Sequence, residues 1–108
     1  MKKYTEKIAR NTKDPEILMD ILKRGKDDWI SRNAASKKNC PPEILAEVLK
    51  RGKDDCVSQS AAINHNCPSE ILEEILRREK DDDISRFASE NPNCPLEAKI
   101  NWMIKLIG

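Results

Sequence analysis

Aromatic side chains are scarce in this chain: two Trp, one Tyr and one Phe among 108 residues. A wide globular core is hard to fill without such bulk. Glycine is nearly as rare, with three in all. The prominence of Ile, Leu, Ala, Glu and Lys instead favours helix, and an elongated helical stack one layer thick. No apolar run approaches the roughly 18 residues that would cross a membrane. The opening "MKKYTEKIAR" has no apolar segment behind its charges, so it does not read as a signal peptide. The expected location is cytoplasmic, with the four cysteines as reduced thiols. There is one histidine, His65. Catalysis needs a nucleophile, a base and an orienting group together, and one turn histidine offers too little. The expectation is a non-enzyme without a cofactor.

Charge of neither sign dominates, for the net is +1. That excludes a strongly basic nucleic-acid binder. The distribution is uneven, however. Residues 1–39 carry 11 basic against 6 acidic side chains, and residues 67–93 carry 4 against 8. Two readings stand: drift among solvated surface charges, or a basic end that meets an acidic partner.

What is present is repetition. "NCPPEIL" at 39–45 returns as "NCPSEIL" at 66–72 and "NCPLE" at 93–97, each 27 residues on. At that period Glu16, Glu43, Glu70 and Glu97 coincide, as do Leu18, Leu45 and Leu72, then Ile21, Val48 and Ile75. Asp27, Asp54 and Asp81 follow, then Ala34, Ala61 and Ala88. Periods of about 20–50 residues mark solenoids. The predicted fold is all-α: a superhelical solenoid of about four repeats, occupying residues 1–108 as one domain. Residues 1–12 form a partial unit, 13–39, 40–66 and 67–93 the full repeats, and 94–108 a capping helix.

Each unit reads as a longer helix followed by a shorter α- or 3₁₀-helix. In the first, Ile44, Leu45, Val48 and Leu49 share one helical face. Proline opens it, and Gly25 or Gly52 closes it in the left-handed conformation. Glu79 holds that place in the third unit, where a different ending or a longer helix is expected. The second piece runs from roughly Asp54 to Ile63, with Asp54 at its cap and small alanines for close approach. So small a unit cannot make a core alone, and stacking must supply the burial.

Cys40, Cys67 and Cys94 precede the helix-opening proline, with Glu three positions later, in the shape of a capping box with Cys as cap. A metal or disulfide role is disfavoured by geometry. Equivalent helices lie about 8–10 Å apart, whereas a disulfide needs Cα atoms within about 7 Å. The expected role is structural, as compact turn residues.

The string "ISRFASENPNCPLEA" at 84–98, with the Pro-Glu-Ile-Leu helix starts, resembles the variant leucine-rich repeat family. Ile84 stands for the leading Val of that repeat, Asn91-Pro92 for its Asn-Pro, and Cys94-Pro95 for its Thr-Pro. The resemblance implies alternating α- and 3₁₀-helices wound into a right-handed superhelix, with no general activity to transfer. The unit here is longer than the family's, with the surplus in "KRGKDD", and Lys37-Lys38 and Asn64-His65 replace the Asn-Pro elsewhere. Nothing here matches the cysteine cluster that holds an iron–sulfur centre in one family member.

Positions that differ between units are free to serve binding. Trp29, Arg32, Asn33, Gln59, Arg86 and Phe87 flank the second helix and are the candidate face for a protein partner. The competing reading packs Trp29 and Phe87 against adjacent loops. At the C-terminus, Ile104 and Ile107 replace the lysines of earlier units. This helix closes the last layer, pairs with a second molecule around Trp102, Ile104 and Ile107 as a homodimer, or continues a longer array. The alternative function is nucleic-acid binding by Lys2, Lys3, Lys7, Arg10, Lys23, Arg24 and Lys26.

Overall fold

The computed structural model describes residues 4–108, and among these the secondary structure is entirely helical. The eight helices are α1 (Glu6–Asn11), α2 (Pro15–Lys23), α3 (Trp29–Ala35) and α4 (Pro42–Lys50), then α5 (Cys56–Ile63), α6 (Ser69–Arg77), α7 (Asp83–Glu90) and α8 (Leu96–Ile107). None is long and apolar enough to cross a membrane. Odd-numbered helices pack in one row, α1 on α3 on α5 on α7, and even-numbered helices in another, α2 on α4 on α6 on α8. The rows meet where α2 packs on α3, α4 on α5 and α6 on α7. The molecule measures 49 × 19 × 17 Å.

The even helices form because one face is apolar and both ends are specified. In α4 the buried set is Ile44, Leu45, Val48 and Leu49, and in α6 it is Ile71, Leu72, Ile75 and Leu76. Full burial of such a side chain contributes about 1.5–3 kcal/mol. Gly25 and Gly52 end α2 and α4 at φ 69° and 71°. Glu79 ends α6 in the same way, at φ 57°. The expected different ending does not occur: the shape of the turn overrides the roughly 1–2 kcal/mol cost of a side chain in that conformation.

The odd helices α3, α5 and α7 are α-helices of seven or eight residues, not 3₁₀ turns. Their caps are Asp28, Asp55 and Asp82, each accepting a hydrogen bond from the backbone N–H of a serine three residues on. Asp54 is therefore one residue short of the cap. Val57, Ala61 and Ala62 of α5 are buried, and the alanines let the row close up.

A polar clamp joins the two helices of each unit. Arg51 Nε donates to the Val48 carbonyl at 3.0 Å, and its Nη2 reaches Asp55 at 3.1 Å and Ser58 Oγ at 3.0 Å. One guanidinium thus satisfies a helix-end carbonyl, a cap carboxylate and a buried hydroxyl. Arg24, Asp28 and Ser31 repeat the arrangement. In the third unit Arg78 sits 3.6 Å from Asp82, and Arg78 Nη2 and Ser85 Oγ are buried without hydrogen bonds. This looser clamp adjoins Glu79, the residue that stands in place of glycine.

Further bonds tie each helix pair to the one before it. The Asp27 carboxylate accepts from the backbone N–H of Val57 at 2.9 Å, and that of Asp54 from Ile84 at 3.1 Å. Asn64 donates to the Ala35 and Lys37 carbonyls at 2.8 and 2.9 Å, and Asn91 to those of Ala62 and Asn64 at 2.6 and 2.9 Å. Asn39, Asn66 and Asn93 donate to Lys13, Cys40 and Cys67 at 3.0, 2.9 and 3.1 Å.

Candidate functional site

The cysteines do not form a site. Cys40 and Cys67 are completely buried, and burial pushes both thiols up to about 12. Such thiols stay protonated and unreactive. Nor are they helix caps: Pro41, Pro68 and Pro95 hold those positions, and none makes a side-chain cap bond. Each cysteine stands one residue earlier, inside a turn whose N–H bonds back three residues, as Cys67 does to Asn64 at 2.9 Å. Burial also raises the partly exposed Cys94 thiol, whereas Cys56 lies on the surface. Among the described residues no group of three His, Cys, Asp or Glu side chains is placed to hold a metal.

The outer side of the odd row carries the first candidate surface. Trp29, at the start of α3, is 67% exposed. The Arg32 guanidinium lies 5.1 Å from the centre of its ring and is held there by Asp27 at 3.1 Å. Such a stack contributes about 0.5–1 kcal/mol at an exposed site. The Arg32 bond holds the Asp27 carboxyl below the usual range. One unit on, Gln59 bonds Asp54 at 3.2 Å, and two units on, Arg86 bonds Asp81 at 2.8 Å. Arg32, Gln59 and Arg86 are thus tethered alike, each by the aspartate five residues before it. Asn33 and Phe87 belong less to this surface. The Asn33 amide donates to the Trp29 carbonyl at 2.9 Å, and Phe87 packs partly buried against the core.

The second candidate surface is α8. Trp102 is not part of it: the indole is 8% exposed, and its N–H donates to the Lys80 carbonyl at 2.8 Å. Ile104 and Ile107 are exposed, with Ile107 at 87%. Leu96, Ile100 and Met103 are exposed beside them. Sequence comparison between units passed over these three, although their helical spacing was available as a signal. A groove of about 550 Å³ runs between α6 and α8, lined by Leu76, Arg77, Ala98, Asn101 and Ile104 among others.

The basic set is dispersed in its roles. Lys2 and Lys3 lie outside the described residues. Lys7, Lys23 and Lys26 are exposed. Arg10 pairs with Glu6, and Arg24 is the clamp residue of its unit, with its guanidinium on Asp28 and Ser31. Arg24 is therefore withdrawn from any phosphate contact.

The asparagines were the missed structural residues. "NCP" repeats Asn as faithfully as Cys, at 39, 66 and 93. Compared with protein-family models, curated proteins and solved structures, the chain matches none.

Proposed function

We propose that this chain is a non-enzymatic helical-repeat scaffold that binds another protein through the outer side of α3, α5 and α7. In this reading residues 1–108 form one right-handed solenoid of about four 27-residue repeats, similar to the variant leucine-rich repeat family. The 27-residue recurrence of clamp, asparagine bonds and buried leucines supports that architecture. Such stacks present long surfaces for binding. The observation that carries the function is Trp29: a large apolar ring left in water, with its cationic neighbour already fixed by Asp27. Trp and Arg dominate the energetics of protein interfaces, and a pre-fixed pair loses little freedom on binding. The exposed turn position of His65 and the protonated state of the buried Cys40 and Cys67 thiols support the non-enzymatic reading.

A photo-crosslinking amino acid placed at position 29 in the source cells tests the reading. The expected outcome is a discrete adduct with a second protein that is not formed from position 13. It should disappear in competition with untagged chain but persist when the competitor carries Trp29→Ala. Equal labelling from both positions would reject it.

A further inference from the structure

We propose that α8 pairs with the α8 of a second copy about a two-fold axis, joining two molecules end to end. The inference stands apart from the Trp29 surface. Its basis is the side of α8 that faces away from the rest of the chain.

Helices α6 and α8 occupy equivalent places 27 residues apart. The side of α6 that looks toward α8 carries Glu73, Leu76 and Arg77, which line the groove between them. The equivalent side of α8 carries Ile100, Met103 and Ile104. It therefore looks onward, to where a further helix of the even row would lie, with Ile104 at the edge where it also lines the groove toward α6. Two of the three positions have changed from charged to aliphatic, and Leu96 and Ile107 extend the stripe to both ends of the helix. At 3.6 residues per turn the stripe lies roughly 150° around α8 from Trp102 and Ala98, which pack inward. One helix is thus apolar on two opposite sides, and the outer side has Leu96 70% and Ile107 87% exposed.

A second copy fits this stripe for three reasons. Leu96, Ile100, Met103 and Ile107 are separated by four, three and four residues, a spacing that reads identically from either end. An antiparallel partner then sets Leu96 against Ile107 of the second copy and Ile100 against its Met103, the self-complementary arrangement a two-fold axis requires. The charged residues of α8, Glu97, Lys99 and Lys105, all lie off the stripe, so pairing buries no charge. At the opposite end of the even row the contact is polar instead, with Asp20 of α2 accepting the Tyr4 hydroxyl at 2.9 Å. A twelve-residue helix is about 18 Å long, which places the contact at the small end of specific interfaces. A contact of that size is sought in the micromolar range, on the order of 1–100 μM.

Sedimentation of the full chain across the micromolar range tests this. The expected mass rises from 12.4 kDa to twice that value and stops. Ile100→Glu and Met103→Glu should each raise the dissociation constant at least about tenfold, with the helical circular dichroism intact because both residues are exposed. Ile63→Glu, which alters an exposed isoleucine on α5, should leave it unchanged. Added salt should leave the dimer as tight or tighter. A strict monomer, a mass that keeps climbing by head-to-tail addition, dissociation by salt, or equal disruption by Ile63→Glu would each overturn the proposal.

Discussion

At Asn91 one side chain performs three tasks. Its amide donates to the Ala62 and Asn64 carbonyls, and its oxygen accepts from the Asn93 N–H at 2.8 Å. All of this takes place in a site only 4% exposed. Removing it leaves buried groups unpaired, at about 1–3 kcal/mol for each such group. Asn91→Ala should therefore lower stability by about 2–4 kcal/mol, read from the urea midpoint, whereas Lys38→Ala on the surface should leave it nearly unchanged. Glu79 offers the opposite case. Glu79→Gly relieves the left-handed strain and should raise stability by about 1 kcal/mol. If the loosened clamp follows from that residue, the same substitution should also draw Arg78 and Asp82 to within 3.2 Å in a crystal structure, matching Arg51 and Asp55. The thiols sort by burial: Cys56 should react first with a disulfide reagent, Cys94 later, and Cys40 and Cys67 only on unfolding.

Among the elements, α3 and α7 each begin on a capping aspartate, Asp28 and Asp82. Burial works against the Asp28 and Asp82 carboxylates, but hydrogen bonds from Ser31 and Ser85, with Arg24 and Arg78 close by, outweigh it and hold both carboxyls below their usual range. Asp27 is held low as well, chiefly by Arg32. A carboxyl whose folded value lies below its unfolded value of about 3.9 contributes its stability in full above that pH. The contribution is lost as pH falls through the folded value, because the unfolded chain takes up protons first. The urea midpoint should accordingly be flat from neutral pH to about 5 and fall below about 4. Asp28→Asn should lower the midpoint at pH 7 and make that acid fall shallower. An unchanged acid profile would remove these caps from the stability of the odd helices.

At the scale of the whole molecule, the main packing of each helix is on its neighbours in the two rows. Stability in such an arrangement accumulates from local pairs, and the ends have fewer of them. Hydrogen exchange should therefore be slowest in α4, α5 and α6, which are flanked on both sides. It should be fastest in α1, a six-residue helix with Ala9 as its one buried residue. For α8 the outcome depends on association: its amides should exchange fast in dilute solution and slow down as the chain is concentrated. Uniform protection from α1 to α8 would contradict a row of locally coupled pairs.

Much of this architecture was legible in the residues before any fold was drawn. A leucine or isoleucine recurring every 27 positions on one helical face has to bury that face, and units too small for their own core have to bury it against each other. Gly25 and Gly52 likewise announced where their helices end. Other features depended on three-dimensional neighbours. Spacing alone could not separate Asp28 as a cap from Asp27 as the acceptor of an N–H thirty residues away. The period did place Trp102, 27 residues after Ile75, on a core position and Trp29 level with Cys56 and Asp83, but it could not give the bond from the Trp102 indole to the Lys80 carbonyl or the stacking of Arg32 on Trp29. Periodicity specifies which side of each helix turns inward because burial of apolar area is non-directional and additive. Which polar atoms meet across the rows, and which apolar side remains uncovered, is directional, and it is settled only once the helices are in place.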